Sequence, residues 1–149
     1  MQVNWQAILD LCARGNVAPP RRDIRREDDW REVLSATQYH VLRQHGTEAA
    51  FSSEMCGLFA PGRYACAGCA TALFDAGEKF DSGTGWPSFT QPLTDDVIAY
   101  FADHSHGMVR VEVRCNVCEG HLGHVFPDGP PPSQLRYCIN ALALEKMAD

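Results

Sequence analysis

The chain has 149 residues, a net charge of −6 and a hydrophobic fraction of 45%, which fits one globular domain with a buried core. The acidic balance argues against nucleic acid as the main partner, and no apolar run is long enough to span a membrane. The N-terminus lacks the basic and then apolar layout of a secretory signal. We therefore expect a cytoplasmic protein, in which seven cysteines indicate metal binding or catalysis rather than structural disulfides.

The beginning of the chain is predicted to be an extension of residues 1–29, followed by a main domain of residues 30–149. Asn4 can cap a short helix that runs to about Arg14 and ends at Gly15. A linker of mixed charge follows, in which four arginines precede three consecutive acidic residues. We expect this extension to lie against the main domain or to be partly mobile.

The main domain is predicted to be a mainly antiparallel β core that begins after a second short helix. The capping-box pattern Ser35-Ala36-Thr37-Gln38 opens this helix, and Gly46 ends it. Residues 109–114 alternate strictly between valine and a charged residue, which predicts a half-buried strand with its valines inward and its charges outward. Residues 134–144 are predicted to form the last strand, with a helical Ala-Leu-Ala-Leu at its end as the alternative.

Two Cys-x-x-Cys pairs predict a metal site. They comprise Cys66, Cys69, Cys115 and Cys118. Four thiolates close a tetrahedral zinc site with no open position, so the metal would be structural. It would join two loops that are separated by 45 residues, as a long-range cross-link does. A four-thiolate iron site remains open as an alternative, whereas a redox Cys-x-x-Cys is disfavoured because neither pair opens a helix in a βαβ unit.

Cys138 lies outside both pairs, in Arg136-Tyr137-Cys138-Ile139-Asn140. In an extended strand Arg136, Cys138 and Asn140 share one face. Arg136 would favour the thiolate form of Cys138, which is the nucleophilic form, and Asn140 would orient a bound polar group or water. The alternative is that Cys138 is a small buried apolar residue, as lone cysteines often are.

Two histidines and a tryptophan complete the candidate site. His121 and His124 flank Leu122-Gly123, and histidine is suited to proton transfer near neutral pH. A metal-binding or core role is the alternative for them, although four cysteines already suffice for zinc. Trp86 lies in a Gly-x-Gly-Trp-Pro turn and is either a buried turn residue or the wall of a small apolar pocket.

From about Trp30 to Leu144 the chain resembles the B-type methionine sulfoxide reductases. The resemblance rests on an ordered series of motifs, namely Gln38-Tyr39-His40-Val41-Leu42-Arg43, Gly46-Thr47-Glu48, Tyr64-x-Cys66-x-x-Cys69, Phe80-x-Ser82-Gly83-x-Gly85-Trp86-Pro87-Ser88-Phe89, Cys115-x-x-Cys118, His121-Leu122-Gly123-His124-Val125-Phe126-x-Asp128-Gly129-Pro130 and Arg136-Tyr137-Cys138-Ile139-Asn140. It implies two antiparallel sheets in a barrel-like core, short helices at the periphery and one structural zinc ion. It also implies reduction of methionine-R-sulfoxide in oxidised proteins. We expect the protein to be a monomer.

The resemblance implies a role for each candidate residue. Cys138 would be the nucleophile, and Trp86 would receive the S-methyl group of the substrate. The groups that would line the site are His121, His124, Arg136 and Asn140, with His124 favoured as the proton donor. The sulfenic acid formed on Cys138 would condense with a second thiol, and thioredoxin would reduce the resulting disulfide.

The recycling thiol departs from a common pattern of the resembled family. Many members carry it in the Gly-x-Gly-Trp-Pro loop, where this chain has Thr84. We expect Cys56 to take this role, because Met55-Cys56-Gly57 could swing. Cys12 is the second candidate, although its place on an apolar helical stripe favours a core role. If neither acts, an external thiol must reduce the sulfenic acid directly.

Two alternative functions remain at this stage. A zinc-stabilised binding module would need neither Cys138 nor the two histidines. A thiol peroxidase would use an activated cysteine, but an apolar wall at Trp86 favours a substrate that carries a methyl group.

Overall fold

The computed structural model describes residues 3–147, so the expected domain limits at residues 1 and 149 lie outside the described part. Three helices in this part are α1 (Trp5–Arg14), α2 (Glu27–Val33) and α3 (Ala36–Gln44). Its strands are β1 (Arg63–Cys66), β2 (Ala72–Asp75), β3 (Lys79–Phe80), β4 (Ser88–Phe89), β5 (Ile98–Asp103), β6 (Arg110–Cys115), β7 (His121–Phe126), β8 (Arg136–Ile139) and β9 (Leu144–Met147). Within residues 3–147 we find no helix with the length and apolarity needed to cross a membrane.

The strands form two antiparallel sheets, which confirms the predicted fold class. One sheet has three strands in the order β2-β1-β9, and the other has six in the order β3-β4-β8-β7-β6-β5. Aromatic side chains join the two sheets: Phe74 of β2 stacks on Phe89 of β4 with ring centroids 4.4 Å apart. Tyr137 of β8 meets Phe74 edge-on at 5.9 Å. The core therefore lies between one face of each sheet, and the opposite face of the six-stranded sheet is free to carry a site.

The two sheet faces follow from the alternation of side chains along each strand. In β8, Tyr137 and Ile139 are fully buried in the core, while Arg136 and Cys138 are only partly buried. The cross-strand partner of Cys138 is His124 on β7, and the partner of His124 on β6 is Glu112. Because paired residues point to the same side, these three side chains share the face opposite the core.

Strand β6 corrects two expectations about the alternating segment. The strand begins at Arg110, and Val109 before it is 80% exposed rather than inward. Glu112 was expected to face solvent, but only 6% of it is exposed. It does point away from the core, as the alternation requires. On the face away from the core, the carboxylate of Glu112 accepts hydrogen bonds from His121 and Arg114, and these two side chains cover it.

The last predicted strand is also corrected. Instead of one strand over residues 134–144, β8 ends at Ile139, and a 3₁₀ turn over Ala141–Ala143 carries the chain into β9 of the other sheet. The Ala-Leu-Ala-Leu sequence provides this change of sheet because Ala141 and Ala143 are small, buried side chains. The chain after Cys138 therefore connects the two sheets.

Helices α1 and α3 begin where their caps were predicted. The side chain of Asn4 accepts a hydrogen bond from the amide of Ala7 at 2.8 Å, and the reciprocal capping box of Ser35 and Gln38 opens α3. Helix α2 was not predicted, and its first turn, from Glu27, lies within the stretch expected to be a linker.

The segment between α1 and α2 is bound to the main domain. Arg21 donates to the carbonyl of Cys69 at 2.8 Å. The amide of Asp23 donates to the carbonyl of Val117 at 3.1 Å. Both contacts lie on the loops that carry the Cys-x-x-Cys pairs, so this segment rests on the predicted metal site.

Candidate active site

A cavity of about 320 Å³ opens on the face of the six-stranded sheet that points away from the core. The residues that line it are Thr47, Thr84, Trp86, Arg110, Gly123, His124, Phe126, Arg136, Cys138 and Asn140. Five of the predicted site residues, Trp86, His124, Arg136, Cys138 and Asn140, therefore meet in one place. The volume suits a small ligand or a single side chain.

Cys138 lies at the centre of this arrangement because β8 is paired on both sides. His124 faces it from β7, and Ser88 faces it from β4. Burial raises the pKa of the Cys138 thiol, and the charge of Arg136 and hydrogen bonds from Thr84 and Arg136 act in the opposite direction. The net shift is upward, so the resting group is a thiol at neutral pH, with donors placed to stabilise the thiolate when it forms.

Arg136 is held in place by a carboxylate and an aromatic ring. Its Nε and Nη2 donate to the two oxygens of Asp128 at 2.9 and 3.1 Å, a bidentate pair that fixes the guanidinium plane. The guanidinium carbon lies 4.4 Å from the ring centroid of Phe126. Arg136 therefore presents a fixed positive charge at the cavity.

Trp86 is oriented by the segment around Glu48. The indole Nε1 donates to the carbonyl of Glu48 at 3.1 Å. The amide of Glu48 donates to Oδ1 of Asn140 at 3.0 Å, and Nδ2 of Asn140 donates to the carbonyl of Leu122 at 3.0 Å. Asn140 thus ties this segment to β7 and holds the indole as a wall of the cavity. These two contacts use two of the four hydrogen bonds that the Asn140 side chain can make.

The two histidines occupy different positions, although only two residues separate them. His124 lines the cavity, and its Nε2 donates to Oδ2 of Asp103 at 2.7 Å. His121 is 3% exposed, and its Nδ1 lies 2.6 Å from Oε2 of Glu112. Their ring centroids are 5.7 Å apart. The cavity lining found within residues 3–147 does not include His121. His121 therefore contacts His124 from the side away from the cavity.

The carboxylates that hold these histidines have pKa values far below their usual range. Burial raises the pKa of Glu112, but hydrogen bonds from His121 and Arg114 outweigh it and lower the value to about 2. Burial also raises the pKa of Asp103, but hydrogen bonds from His124 and Ser105 hold it well below its usual range. Both groups are therefore carboxylates at neutral pH, when they can only accept hydrogen bonds.

The two candidate recycling cysteines lie away from the cavity lining described by the structure. Cys56 is half-buried in a 3₁₀ turn over Glu54–Gly57. Lys79 donates from its ammonium group to the carbonyls of Met55 and Leu58 on either side of that turn. Cys12 is half-buried on α1, and burial raises the pKa of its thiol. Within residues 3–147, neither cysteine belongs to the cavity lining.

No functional role for Asp103, Glu112 or the backbone of Glu48 was predicted from the sequence. Only the alternation of β6 pointed to Glu112, and it identified the face without identifying what covers it. Asp103 reaches His124 because β5, β6 and β7 are adjacent in the sheet. A single sequence does not contain that register, so no local signal could have found Asp103.

The four paired cysteines form one cluster in the fold. The Sγ atoms of Cys66 and Cys118 are 3.6 Å apart, and those of Cys69 and Cys115 are 3.5 Å apart. All four ligand atoms lie within 4.8 Å of one another, and all four residues are buried. A tetrahedral ion with metal–sulfur bonds of about 2.3 Å needs sulfurs about 3.8 Å apart. The cluster therefore fits a structural metal site.

The two loops that carry these cysteines have the same local structure. In each loop the amide of the residue after the second cysteine donates to the carbonyl of the first cysteine, from Ala70 to Cys66 at 2.9 Å and from Glu119 to Cys115 at 2.8 Å. Ala70 and Glu119 also share a left-handed backbone, with φ of 65° and 66°. Two equivalent turns that face each other are suited to holding one ion between them.

Comparison with known proteins agrees with this geometry. The SelR domain matches residues 34–148. Proteins called peptide methionine sulfoxide reductase MsrB are 55% identical over 122 residues in Bradyrhizobium diazoefficiens (82% of this chain, 88% of the relative) and 54% identical over 118 residues in Pseudomonas aeruginosa strain UCBPP-PA14 (79% and 89%). A third, from Saccharophagus degradans, is 51% identical over 125 residues (83% and 93%). The chain therefore belongs to the SelR-domain family, the B-type methionine sulfoxide reductases.

Proposed function

We propose that this protein repairs oxidised proteins by reducing peptide-bound methionine-R-sulfoxide, and also the free amino acid, to methionine. The observation that carries the proposal is one cysteine, Cys138, in an open cavity beside an indole, an imidazole and a guanidinium. Its neighbours supply the three things that the reaction needs, which are a wall for a methyl group, a route for a proton and a positive charge for a thiolate.

In the proposed reaction the sulfur of Cys138 attacks the sulfoxide sulfur as a thiolate. His124 passes a proton to the sulfoxide oxygen, and Arg136 stabilises the thiolate. The oxygen then bonds to the Cys138 sulfur while the substrate sulfur loses both its bond to oxygen and its transient bond to Cys138, so methionine leaves and Cys138 becomes a sulfenic acid. The substrate sulfur gains two electrons and the cysteine sulfur loses two, so the step balances without an external oxidant.

The remaining site residues shape the cavity. Trp86 would contact the S-methyl group, and its fixed orientation would favour the R epimer, since the two sulfoxide epimers require different enzymes. Asn140 would hold the Trp86 wall through Glu48, and His121 would support His124 from behind. Zinc, held by the four paired cysteines, would supply a structural cross-link, and no step of the reaction needs it.

The test of this function is turnover driven by dithiothreitol on the separated R and S epimers of a blocked methionine sulfoxide. We expect reduction of the R epimer alone, and we expect Cys138→Ser to abolish it. No reduction of either epimer by folded, metal-loaded protein would refute the proposal and favour a binding module. Faster consumption of hydrogen peroxide than of sulfoxide would favour a thiol peroxidase.

For recycling, we propose that Cys56 forms a disulfide with the Cys138 sulfenic acid and that thioredoxin reduces it. This requires release of the turn that Lys79 holds, so the reaction should be slower than in Thr84→Cys, which places a thiol on the cavity lining. After one turnover without reductant, peptide mapping should find the Cys56–Cys138 bond. Full thioredoxin-dependent turnover in Cys56→Ser would exclude it and leave Cys12 or direct reduction.

We also propose that the protein is a cytoplasmic monomer. Light scattering of the purified protein would test this, and a mass near twice 16.5 kDa would contradict it.

A further inference from the structure

Asp103 and His124 form a carboxylate–imidazole pair at the edge of the cavity. Asp103 is the last residue of β5, and the distance from its Oδ2 to Nε2 of His124 is 2.7 Å. Their side chains are 20% and 15% exposed. The cavity lining found within residues 3–147 includes His124 but not Asp103. The carboxylate therefore acts on the imidazole from behind, without direct access to a substrate.

The Asp103 carboxylate is itself held in position. Its Oδ1 accepts a hydrogen bond from the amide of Ser105 at 2.9 Å. Arg110, its cross-strand partner, approaches Oδ2 at 3.4 Å and also donates to Ser105 at 3.3 Å. The imidazole is thus fixed by a carboxylate that has two other anchors, which favours a single ring orientation.

This contact determines which ring nitrogen carries the hydrogen. A carboxylate only accepts hydrogen bonds, so Nε2 of His124 is protonated and faces Asp103. In the neutral ring Nδ1 then carries the free lone pair. Cys138 is the cross-strand partner of His124 on β8, and such partners have Cβ atoms about 4.5–5.5 Å apart. The contact with Asp103 uses Nε2, so Nδ1 is the ring nitrogen that remains unprotonated on the sheet face that His124 shares with Cys138.

We propose that Asp103 is a positioning residue that fixes His124 with Nε2 protonated, so that Nδ1 can take the proton of Cys138 and pass it to the sulfoxide oxygen. This inference rests on the proposed function. The S–H bond of Cys138 breaks, Nδ1 binds the proton, and the new thiolate attacks the substrate sulfur. The same proton then moves from Nδ1 to the sulfoxide oxygen, so His124 returns to its starting form.

The protonation state of His124 supports this assignment. Burial lowers the pKa of His124, while its hydrogen bond to Asp103 raises it and the nearby charge of Arg110 lowers it. The net shift is downward, so the resting ring is neutral and can accept the thiol proton. The charged or titratable groups that face this ring from β5, β6, β7 and β8 are Asp103, Arg110, Glu112, His121, Arg136 and Cys138.

The first experiment measures the tautomer directly. Nitrogen-15 NMR of the full-length protein with labelled histidine should show His124 as neutral at pH 7, with the hydrogen on Nε2. A hydrogen on Nδ1 would overturn the proposal, whatever the enzyme does with sulfoxides. This measurement needs no variant, so it decides the question even if substitutions at position 103 impair folding.

The second experiment compares Asp103→Asn with the wild-type enzyme on methionine-R-sulfoxide. We expect kcat to fall about 100-fold, within the range typical of positioned acid–base groups, with KM nearly unchanged. The limb of the pH–rate profile that reports His124 should move to lower pH, because the carboxylate raises the pKa of that ring. Asp103→Glu should recover part of the rate.

The control is Asp75→Asn, which makes the same chemical change on the other sheet, where the carboxylate caps the amide of Gly77. It should leave kcat and the pH profile as in the wild type. A wild-type rate and pH profile in Asp103→Asn would refute the positioning role. Failure of the wild-type enzyme itself to reduce either epimer would instead refute the proposed function, so the two failures are distinguishable.

Discussion

Removing the metal is expected to lower the stability of this protein by an amount that can be derived from its chain. The cluster joins Cys69 to Cys115 across 45 intervening residues. A cross-link that closes a loop of this length contributes about 4 kcal/mol by restricting the unfolded chain. That is a large share of the roughly 5–15 kcal/mol that stabilises an ordinary domain. For a chain of this size it corresponds to a fall in Tm of about 8–16 °C.

The assay is thermal unfolding before and after treatment with a chelator, with metal content measured in the same samples. Cys118→Ser should reproduce the fall in Tm and lose the metal. The matched control is Cys56→Ser, which removes a half-buried thiol outside the cluster and should keep both. A metal-free protein with the Tm of the untreated one would refute the structural role, and iron in the purified protein would replace zinc as the assigned ion.

Three further changes have expected outcomes. Tyr137→Phe removes the hydroxyl that lies 2.6 Å from the buried hydroxyl of Tyr100. Urea unfolding should then show a free energy of unfolding lower by about 1–3 kcal/mol. Adding Tyr100→Phe should restore part of that loss. Gly123→Ala should abolish activity and lower Tm, because a Cβ there would lie 2.0 Å from the carbonyl oxygen of Cys138; a wild-type Tm would contradict this. The pKa of Glu112 falls from 4.5 to about 2 on folding. The stability that this carboxylate contributes above pH 4.5 should therefore be lost as pH falls towards 2. Glu112→Gln should flatten the dependence of the free energy of unfolding on pH in this range.

The parts of the site that could be predicted from the sequence are those fixed by local geometry. A period of two along one strand places Cys138 and Arg136 on the same face, and the structure has them there. Two Cys-x-x-Cys turns can each supply two sulfurs to one ion, and both turns meet in the fold. These predictions needed no knowledge of which strands are neighbours.

The parts that could not be predicted depend on which strands are neighbours. Asp103, Glu112 and His124 lie on three different strands, and only their order in the sheet brings each carboxylate to a histidine. The exposure of Val109 and the burial of Glu112 have the same origin, since alternation gives a face but not the layer that covers it. For the same reason the sequence favoured His124 as the proton donor without separating the positions of the two histidines, whereas the fold places His124, and not His121, at the cavity.

The raised pKa of Cys138 is compatible with a role as nucleophile because the proposed reaction needs the thiol proton. A thiol and a sulfoxide give a sulfenic acid and a thioether, so the step neither consumes nor releases a proton overall. A site that held a permanent thiolate beside a neutral imidazole would need to take the proton for the sulfoxide oxygen from solvent. A buried thiol next to a neutral His124 carries that proton already. Burial therefore protects the resting sulfur from oxidation, since the thiolate is the reactive form, and it keeps the proton where the substrate oxygen will need it.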